Sequence, residues 1–331
     1  MSAELKQLQQ FSNEEDEHHF KQDVLEGLST KKKHISSKYF YDKKGSELFN
    51  LITQHPHYYL TQCELQIIER YKSKLSNLLN TGSFNLIELG PGEGIKTRLI
   101  LDQFLNDNLD FTYYTIDISE KYLLQIVEEF NKELAQLKLI ALNADYFKGL
   151  KWLAKKSAKP NLILFLGSSI GNFTPKQTNR FLTSMWHDLQ DGDYCLIGFD
   201  LRKDLRVILD AYNDGDGLTR EFNLNLLTRI NRELGGHFNT KNFQHYAVYN
   251  VYSGAMESYL LSTQEQQVYI DALNKEFRFG AYEPLHLEYS YKYTLKQIED
   301  YASLNGFRIV ENYFDEKNYF VDSLWQVVKQ D

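Results

Sequence analysis

Short apolar runs alternate with amphipathic helical patterns in the middle of the chain, from about residue 64 to residue 200. Each run is followed by a polar turn or a helical segment, which is the pattern of buried strands in a parallel sheet. Strands that alternate with helices in this way predict successive βαβ units. The predicted strands lie at 84–89, 112–118, 137–142, 162–166 and 194–199.

This alternation breaks after residue 202 and returns near residue 293. The interruption contains one long helical pattern at 210–234 and alternating segments at 243–261 and 278–293. A helix at 294–305 and strands at 307–314 and 319–328 then complete the pattern. We therefore predict an α/β core formed by residues 62–201 and 293–331, and an inserted α+β lobe formed by residues 10–61 and 202–292.

Composition narrows the range of partners. The formal charge of −8, from 37 basic and 45 acidic residues, disfavours a general polyanion binder, and the short basic run at 31–34 is typical of a solvated turn. No apolar stretch approaches the length of a membrane span and no secretory signal is evident, so we expect a cytoplasmic protein that binds neither nucleic acid nor membranes. Cys63 and Cys195 alone do not support a disulfide framework or a thiolate metal site.

A glycine cluster directly follows the first predicted strand, with Gly90, Gly92 and Gly94 at alternate positions. Glycine lets the backbone of a tight turn approach a ligand without a Cβ in the way. The spacing differs from the GxGxxG dinucleotide fingerprint, and Glu88 and Glu93 would place negative charge beside a pyrophosphate. A ligand that carries a sulfonium and an ammonium fits better. An ordinary strand-to-helix turn is the alternative interpretation.

Two further strands end in candidate ligand-binding residues. Asp117 ends the second, at a position where a carboxylate can accept both hydroxyls of a ribose. Near the end of the third, Asp145 could hold an adenine amine while Tyr146 packs on the ring, although Asp145 could also be a helix N-cap. The carboxyl ends of parallel strands share one sheet edge, so a ligand crevice is predicted there. The 23 tyrosines suit a pocket that excludes water yet hydrogen-bonds a small polar ligand.

Several segments, taken together with the glycine loop, are similar to those of a known enzyme family. They are YFYD at 39–42, GSELF at 45–49, PHYY at 56–59, FLGSSIGN at 165–172, DL at 200–201, AY at 211–212 and FN at 222–223. From about residue 36 to its C-terminus, the chain resembles the S-adenosylmethionine-dependent histidine Nα-methyltransferases of ergothioneine biosynthesis. The resemblance implies a Rossmann-like class I methyltransferase core with an inserted α+β substrate lobe, and S-adenosylmethionine as cofactor.

Carried over to this chain, the resemblance assigns roles to individual residues. Asn172 and Tyr212 would hold the substrate carboxylate, and Tyr41 would lie near the α-amine, which makes these three the candidate catalytic residues. A neutral amide and a phenol can donate to a carboxylate without adding a cation that would repel the sulfonium. Lys96 joins the glycine loop on the cofactor side.

The resemblance also implies an imidazole-binding group formed by Tyr58, Glu288 and Ser290. Glu288 could accept from an imidazole N–H or pair with imidazolium, so it is expected to select histidine, whereas a solvated strand carboxylate is the alternative. A gapless count places Ser258 where the family usually has a methionine, with Met256 two residues earlier. A one-residue bulge or a two-residue shift would bring Met256 into the pocket instead.

The activity implied by the resemblance is successive transfer of three methyl groups to the α-nitrogen of L-histidine, which gives hercynine. Methylation of another amino acid or of an aromatic amine is the first alternative, because Ser258 would enlarge the pocket. The second alternative is a non-catalytic cofactor-binding module that serves as a partner for another protein. We expect a monomer with a small amino-acid substrate and no metal, because no metal-ligand motif is visible.

Overall fold

The computed structural model describes residues 4–7, 13–79 and 82–329, which form two compact units. The sheet unit contains the described parts of Met1–Gln10, Gln62–Arg202 and Tyr293–Asp331. The insert unit contains those of Phe11–Thr61 and Lys203–Lys292. The predicted lobe boundary at residue 10 and the predicted core boundary at residue 331 lie outside the described residues.

The strands of the described residues are, in chain order, β1 (Glu4–Gln7), β2 (Phe84–Leu89), β3 (Phe111–Asp117), β4 (Leu139–Asn143), β5 (Asn161–Phe165), β6 (Tyr194–Asp200), β7 (Phe243–Asn250), β8 (Ala255–Ser262), β9 (Gln266–Ile270), β10 (Lys275–Phe279), β11 (Pro284–Tyr291), β12 (Phe307–Phe314) and β13 (Phe320–Val327). Eight of them form the main sheet, in the order β1-β4-β3-β2-β5-β6-β13-β12. The pairs from β1 to β6 are parallel, whereas β13 runs antiparallel between β6 and β12.

The α-helices of the described residues are α1 (Asn13–Ser29), α2 (Lys43–Gln54), α3 (Tyr59–Leu79), α4 (Ile95–Asn106), α5 (Glu120–Glu133), α6 (Tyr146–Lys156), α7 (Pro175–Asp188), α8 (Leu205–Tyr212), α9 (Leu218–Leu234) and α10 (Leu295–Leu304). Helices α4 to α7 connect the successive parallel strands from β2 to β6. None of the described helices combines the length and the apolar character that crossing a membrane requires.

Burial explains why the central strands were readable from sequence. Every residue of β2 and of β5 is buried, as expected for strands covered by helices on both faces. The five predicted strands correspond to β2 through β6, with starts that differ by at most two residues. The predicted helix at 294–305 and the two closing strands correspond to α10, β12 and β13. The prediction of a Rossmann-like α/β core is confirmed.

One sequence prediction was wrong and one strand was not predicted. The single helix expected at 210–234 is divided into α8 and α9, because Gly217 adopts φ 76° and the Asp214 carboxylate accepts from the backbone N–H groups of Leu218 and Thr219. The N-terminal strand β1 was not predicted. It has the sequence ELKQ and pairs with β4 at the edge of the sheet, so its sequence lacks the apolar run that marks the other parallel strands.

The insert unit combines helices with two small antiparallel sheets, as the predicted α+β lobe requires. One sheet has the order β11-β8-β7 and the other pairs β10 with β9. Side chains from α1, α2, α9 and these strands form one buried apolar cluster, which includes Val24, Leu226 and Leu260. This cluster supports the strands on which the predicted substrate residues lie.

Candidate functional site

The glycine loop after β2 has the backbone of a close-approach turn. Gly90, Gly92 and Gly94 have φ values of 71°, 58° and 72°, which lie in the left-handed region. A Cβ at Gly90 would lie 2.6 Å from the Tyr146 hydroxyl, whereas a Cβ at Gly92 would meet nothing within 4 Å. The loop therefore presents bare backbone to open space at Gly92, which fits a small ligand held against the main chain.

Backbone hydrogen bonds tie the ends of β2, β3 and β4 together. The N–H of Gly90 donates to the carbonyl of Ile116 at 3.0 Å, and the N–H of Ala144 donates to that of Asp117 at 3.0 Å. The Asn143 amide adds bonds to the carbonyls of Asp117 and Ile118 at 3.2 and 3.0 Å. The three strand ends that the sequence predicts at one crevice therefore do meet at one edge of the sheet.

Three acidic and aromatic residues at this edge have defined environments. Asp117 accepts from the backbone N–H of Ser119 at 2.7 Å, and burial raises its pKa to about 6. Asp145 caps α6, with its Oδ1 accepting from the N–H of Lys148 at 2.9 Å, as its alternative interpretation proposes. The ring of Tyr146 packs edge-on against Phe165, with the ring centroids 5.7 Å apart.

Glu88, near the end of β2, is a buried carboxylate. Its two carboxylate oxygens accept hydrogen bonds from the hydroxyls of Thr97 and Tyr113, and only 3% of its surface is exposed. Burial is the largest cause of the raised pKa of Glu88. Its carboxylate is therefore held within the core by these two hydroxyls.

Glu64 forms a buried polar centre that sequence reasoning did not single out. It lies on α3, accepts from the Lys96 ammonium at 2.6 Å and from the backbone N–H of Gly167 at 2.7 Å. A Cβ at Gly198 would lie 2.4 Å from its carboxylate, so this strand position needs glycine. Glu64 thus fixes Lys96, which was assigned to the cofactor side, to the loop after β5. A lone glutamate in a helical pattern gives no sequence signal for such a contact.

Asn172 ends the loop that follows β5. The loop is held by hydrogen bonds from the backbone N–H of Asp200 to the Ser168 hydroxyl at 3.0 Å and from the Tyr293 hydroxyl to the carbonyl of Ile170 at 3.2 Å. Within the described residues, the Asn172 side chain makes no hydrogen bond. The loop therefore holds the backbone that carries Asn172, and its side-chain amide has a donor and an acceptor to offer a ligand.

The insert unit brings Tyr41, Tyr58 and Tyr212 into one aromatic wall. Tyr41 packs edge-on against Phe49, with centroids 5.4 Å apart, and Phe49 packs edge-on against Tyr58 at 6.2 Å. Tyr58 in turn faces Tyr212 at 6.5 Å. Edge-to-face packing at these distances holds each ring in a defined orientation. The three predicted tyrosines therefore form neighbours on one surface of this unit.

Ser258, Glu288 and Ser290 lie on adjacent strands of the three-stranded sheet. In its antiparallel pairing, Glu288 is opposite Ser258 and Ser290 is opposite Met256. Directly opposite residues share a face, so all four lie on the same side of the sheet. Met256 is 1% exposed and packs with Tyr212 in a small apolar cluster, whereas Ser258 lies opposite Glu288. Ser258, which the gapless count gives, and Met256, which the shifted alignment gives, therefore both lie on this face.

A β-bulge in β11 creates this arrangement. The register shifts between His286 and Glu288, so Leu287 is the extra residue in the strand. Leu285 upstream and Glu288 downstream consequently occupy the same face, although they are three positions apart. The bulge expected from the sequence was on β8, the strand that carries Met256, but β8 pairs with β7 without interruption.

Glu288 is an acid in a poorly solvated position. Burial raises its pKa to about 7, and the nearby charge of Lys292 partly opposes this increase. Among the described residues, none forms a hydrogen bond with the Glu288 carboxylate. A largely buried carboxylate of this kind gains from a ligand that brings its own N–H donor.

Lys292, directly after β11, was not predicted as part of this group. Its ammonium donates to the Tyr212 hydroxyl at 2.8 Å and to the Ser290 hydroxyl at 2.9 Å, and these two hydroxyls are 2.7 Å apart. Its alternate spacing with Glu288 and Ser290 was the available sequence signal. In the part of the chain that the structure describes, no group of three or more His, Cys, Asp and Glu side chains could hold a metal ion.

Comparisons with known proteins identify the family to which the chain belongs. The family model described as "Histidine-specific methyltransferase, SAM-dependent" matches residues 20–327. The chain is 32% identical over 304 residues to a histidine N-alpha-methyltransferase of Mycobacterium tuberculosis, which covers 92% of this chain and 94% of that protein. It is 30% identical to ergothioneine biosynthesis protein 1 of Schizosaccharomyces pombe, over 86% of this chain and 38% of that protein.

A relative with another named substrate is also similar over most of the length. The L-tryptophan methyltransferase trpM of Psilocybe serbica is 27% identical, over 90% of each chain. The family model nevertheless spans nearly all of this chain, and its description specifies histidine and S-adenosylmethionine. The chain belongs to the family of S-adenosylmethionine-dependent, histidine-specific methyltransferases, with a Rossmann-like class I core.

Proposed function

We propose that the chain transfers three methyl groups from S-adenosylmethionine to the α-nitrogen of L-histidine, giving hercynine. The observation that carries the proposal is the single sheet face on which Glu288, Ser258 and Ser290 lie, with the Tyr212 hydroxyl 2.7 Å from Ser290. This face offers a carboxylate for an imidazole and a hydroxyl donor for a substrate carboxylate within one water-poor group.

The residues at the edge of the main sheet suit the cofactor. S-adenosylmethionine supplies a methyl group on a sulfonium, which a neutral amine can accept by displacement. Gly90, Gly92 and Gly94 would let the backbone approach it, Asp117 would accept from the ribose hydroxyls, and Asp145, which also caps α6, would accept from the adenine amine. Lys96 and Tyr146 would complete the group of cofactor-binding residues.

On the substrate side, the chain has to orient an amine and exclude water. Asn172 and Tyr212 would donate to the substrate carboxylate, while Tyr41, held edge-on by Phe49 and Phe222, would lie at the α-amine. Holding the amine in line with the transferred methyl group would supply most of the rate, because positioning replaces a bimolecular encounter. The amine would lose its proton to water before the site closes, so a strong general base is unnecessary.

The imidazole would lie against Tyr58 and Glu288. The carboxylate of Glu288 would accept the imidazole N–H, and its pKa of about 7 means that it is partly ionised at neutral pH. A substrate without that N–H would leave the buried carboxylate unpaired, which is the physical basis for selecting histidine.

A substrate panel tests the proposal. We would incubate the chain with S-adenosylmethionine and each of the twenty amino acids, and follow mono-, di- and trimethylated products by mass spectrometry. We expect histidine to be converted to its trimethylated betaine, with three equivalents of S-adenosylhomocysteine formed. Conversion of another amino acid in its place, or an end point at one or two methyl groups, would refute the corresponding part of the proposal.

Another amino acid is the second candidate. Ser258 lies opposite Glu288, and its small side chain leaves more room than the methionine usual in the family. The similarity to an L-tryptophan methyltransferase makes tryptophan the first competitor to test. A non-catalytic module is disfavoured by membership of an enzyme family.

We also propose that the protein acts as a cytoplasmic monomer. The two cysteines, Cys63 and Cys195, are buried and form no disulfide in the described part of the chain, which is compatible with a reducing compartment. Light scattering after size exclusion should give the mass of one chain, and a mass of two chains would contradict the proposal. Cell fractionation should recover the protein with the cytoplasmic fraction, and recovery with membranes or in the medium would contradict that part.

A further inference from the structure

Asn223 belongs to one of the segments that carry the family resemblance, yet no role for it follows from the proposed function. It lies on α9, and only 1% of its surface is exposed. Its side-chain amide donates to Nδ1 of His245 on β7 at 2.8 Å. The Nε2 atom of His245 lies 3.0 Å from the backbone carbonyl of Tyr212, the last residue of α8. The three residues therefore form a chain of hydrogen bonds within the insert unit that ends at a candidate substrate-binding residue.

The two partners of the His245 ring fix its protonation. A carbonyl oxygen only accepts, so Nε2 must carry the proton that is donated to Tyr212. In a neutral ring Nδ1 is then an acceptor, which suits the amide N–H of Asn223. Burial lowers the pKa of His245, and the charges of Asp214 and Arg220 act on it in opposite directions, so the ring is neutral at pH 7 and above. Asn223 thus selects the one neutral tautomer that can donate to Tyr212.

These hydrogen bonds tie the end of α8 to β7. The carbonyl groups in the last turn of a helix take their donors from outside the helix, and that of Tyr212 takes the Nε2–H of His245. The amide of Asn213, the next residue, adds a second bond between the two elements by donating to the carbonyl of Ala247 at 3.3 Å. The backbone that carries Tyr212 is therefore fixed relative to β7.

Tyr212 is consequently held at both of its ends. Its carbonyl is bound by His245 on β7, and its hydroxyl lies 2.7 Å from that of Ser290 on β11. Both strands pair with β8, so they belong to the sheet that carries Ser258 and Glu288. A rotation of the backbone at the end of α8 would displace the hydroxyl, because the hydroxyl is the far end of a long, rigid side chain.

We propose that His245, in the tautomer selected by Asn223, is a positioning residue that places the Tyr212 hydroxyl for binding of the substrate carboxylate. This inference rests on the proposed function, since it takes Tyr212 to be a carboxylate-binding residue. The FN pair at 222–223 then supports two of the candidate catalytic residues. Phe222 packs against the ring of Tyr41, with the centroids 5.8 Å apart, and Asn223 acts on Tyr212 through His245.

The test uses two amides that differ in reach. In His245→Gln the side-chain amide reaches the position of Nε2 and can still donate to the Tyr212 carbonyl, whereas in His245→Asn it reaches only that of Nδ1. We would measure KM and kcat for histidine in both variants, and their affinity for S-adenosylhomocysteine by calorimetry. The control pair is His237→Gln and His237→Asn, at a histidine of the same unit whose Nε2 lies 3.1 Å from the Asp271 carboxylate. Fluorimetry would verify that each variant is folded.

We expect His245→Asn to raise KM for histidine by about tenfold, because a displaced hydroxyl binds the carboxylate less well. His245→Gln should keep KM within about threefold of the wild-type value, since it preserves the bond to Tyr212. Both His237 variants should behave as the wild type. Affinity for S-adenosylhomocysteine should be unchanged throughout, because the candidate cofactor residues belong to the sheet unit. A loss of folded protein would instead lower the apparent kcat and leave KM unchanged.

Asn223→Ala tests the selection of the tautomer, with Asn231→Ala as its control. Asn231 lies on the same helix, but its side chain hydrogen-bonds the backbone of Phe238. Nitrogen NMR of protein labelled in histidine should show His245 protonated at Nε2 in the wild type and in Asn231→Ala. In Asn223→Ala it should show a mixture of both tautomers, accompanied by an increase in KM.

Equal KM values in His245→Gln and His245→Asn would overturn the proposal and leave His245 a structural residue. A wild-type ring protonated only at Nδ1 would overturn it as well. If the His245 variants do not fold, Asn223→Ala decides, because an unchanged KM in the presence of both tautomers would contradict the proposal. Failure of the proposed function has a different signature, since the wild type would then not methylate histidine. The same comparison would be made with whichever amino acid the panel identifies.

Discussion

Replacing Glu288 by glutamine separates the charge of this side chain from its size. Burial raises the pKa of Glu288 to about 7, so its charge changes within the pH range of an enzyme assay. The ionised carboxylate would accept the imidazole N–H more strongly than an amide oxygen does. We expect Glu288→Gln to lower kcat/KM for histidine, and to lower it more at pH 8 than at pH 6.

The size of the effect follows from the surroundings of the carboxylate. A hydrogen bond to a charged acceptor contributes about 1.5–3 kcal/mol, which corresponds to about 10- to 150-fold in kcat/KM. With a pKa of about 7, roughly one tenth of Glu288 is ionised at pH 6 and roughly nine tenths at pH 8. The ratio of wild-type to variant kcat/KM should therefore rise by up to about ninefold between these pH values.

The same substitution should affect stability in the opposite direction. The pKa of about 7 in the folded protein lies above the ordinary value of 4.5, so the folded state binds more protons between these values and the free energy of unfolding decreases as pH rises. Glutamine does not undergo this loss. The variant should be more stable than the wild type at pH 8, by up to about 3 kcal/mol, and the two should converge near pH 4.

Two measurements check this pair of expectations. Formation of S-adenosylhomocysteine would give kcat/KM for histidine and tryptophan at pH 6, 7 and 8, and urea unfolding would give stability at pH 4 and 8. A pH-independent ratio, or an equal loss for both amino acids, would mean that Glu288 does not bind the imidazole. A variant less stable than the wild type at pH 8 would show that the carboxylate anchors the fold.

Three further outcomes are expected. Asp117→Ala should weaken S-adenosylmethionine binding by about 1–3 kcal/mol in calorimetry, and an unchanged affinity of this variant would remove Asp117 from the site. The affinity of the wild type should decrease as pH falls through about 6, where Asp117 becomes protonated. Gly90→Ala should also weaken cofactor binding, because its Cβ would lie 2.6 Å from the Tyr146 hydroxyl, whereas Gly215→Ala, whose Cβ meets nothing within 4 Å, should bind normally. Turnover should persist in the presence of a chelator, and loss of activity restored by a divalent ion would contradict a metal-free reaction.

The main sheet was predictable because its central strands are buried and mostly apolar. β2 and β5 are buried at every position, and apart from Asn85, Glu88 and Asn161 their residues are apolar, so each sequence reads as a short apolar run between turns. β1 could not be predicted because the sequence ELKQ shows no apolar run and no alternation of apolar and polar residues. This edge strand is paired with β4 through its backbone. The break between α8 and α9 depends on Asp214 capping the second helix, a contact that periodicity does not encode.

The candidate site was predictable to a similar extent. The end of a strand indicates which edge a residue occupies, so the convergence of Gly90, Asp117 and Asp145 could be inferred. The contact of Glu64 with Lys96 and that of Lys292 with Tyr212 could not, because each joins residues that are distant in sequence, although the alternate spacing of Lys292 with Glu288 did indicate the face on which it lies. Contacts of this kind depend on tertiary packing, so they cannot be predicted from the spacing of residues along the chain.

The bulge at Leu287 gives β11 a tolerance to changes in chain length. Leu285 and Glu288 already occupy the same face with Leu287 as the surplus residue between the two pairing registers. A deletion of Leu287 would leave a regular strand with Glu288 and Ser290 still opposite their present partners, at the cost of one apolar side chain from the core. A deletion two residues later, at Tyr289, would instead shift the pairing by one residue and turn Ser290 to the opposite face. Relatives could therefore differ by one residue at this point of the strand and keep the same pocket.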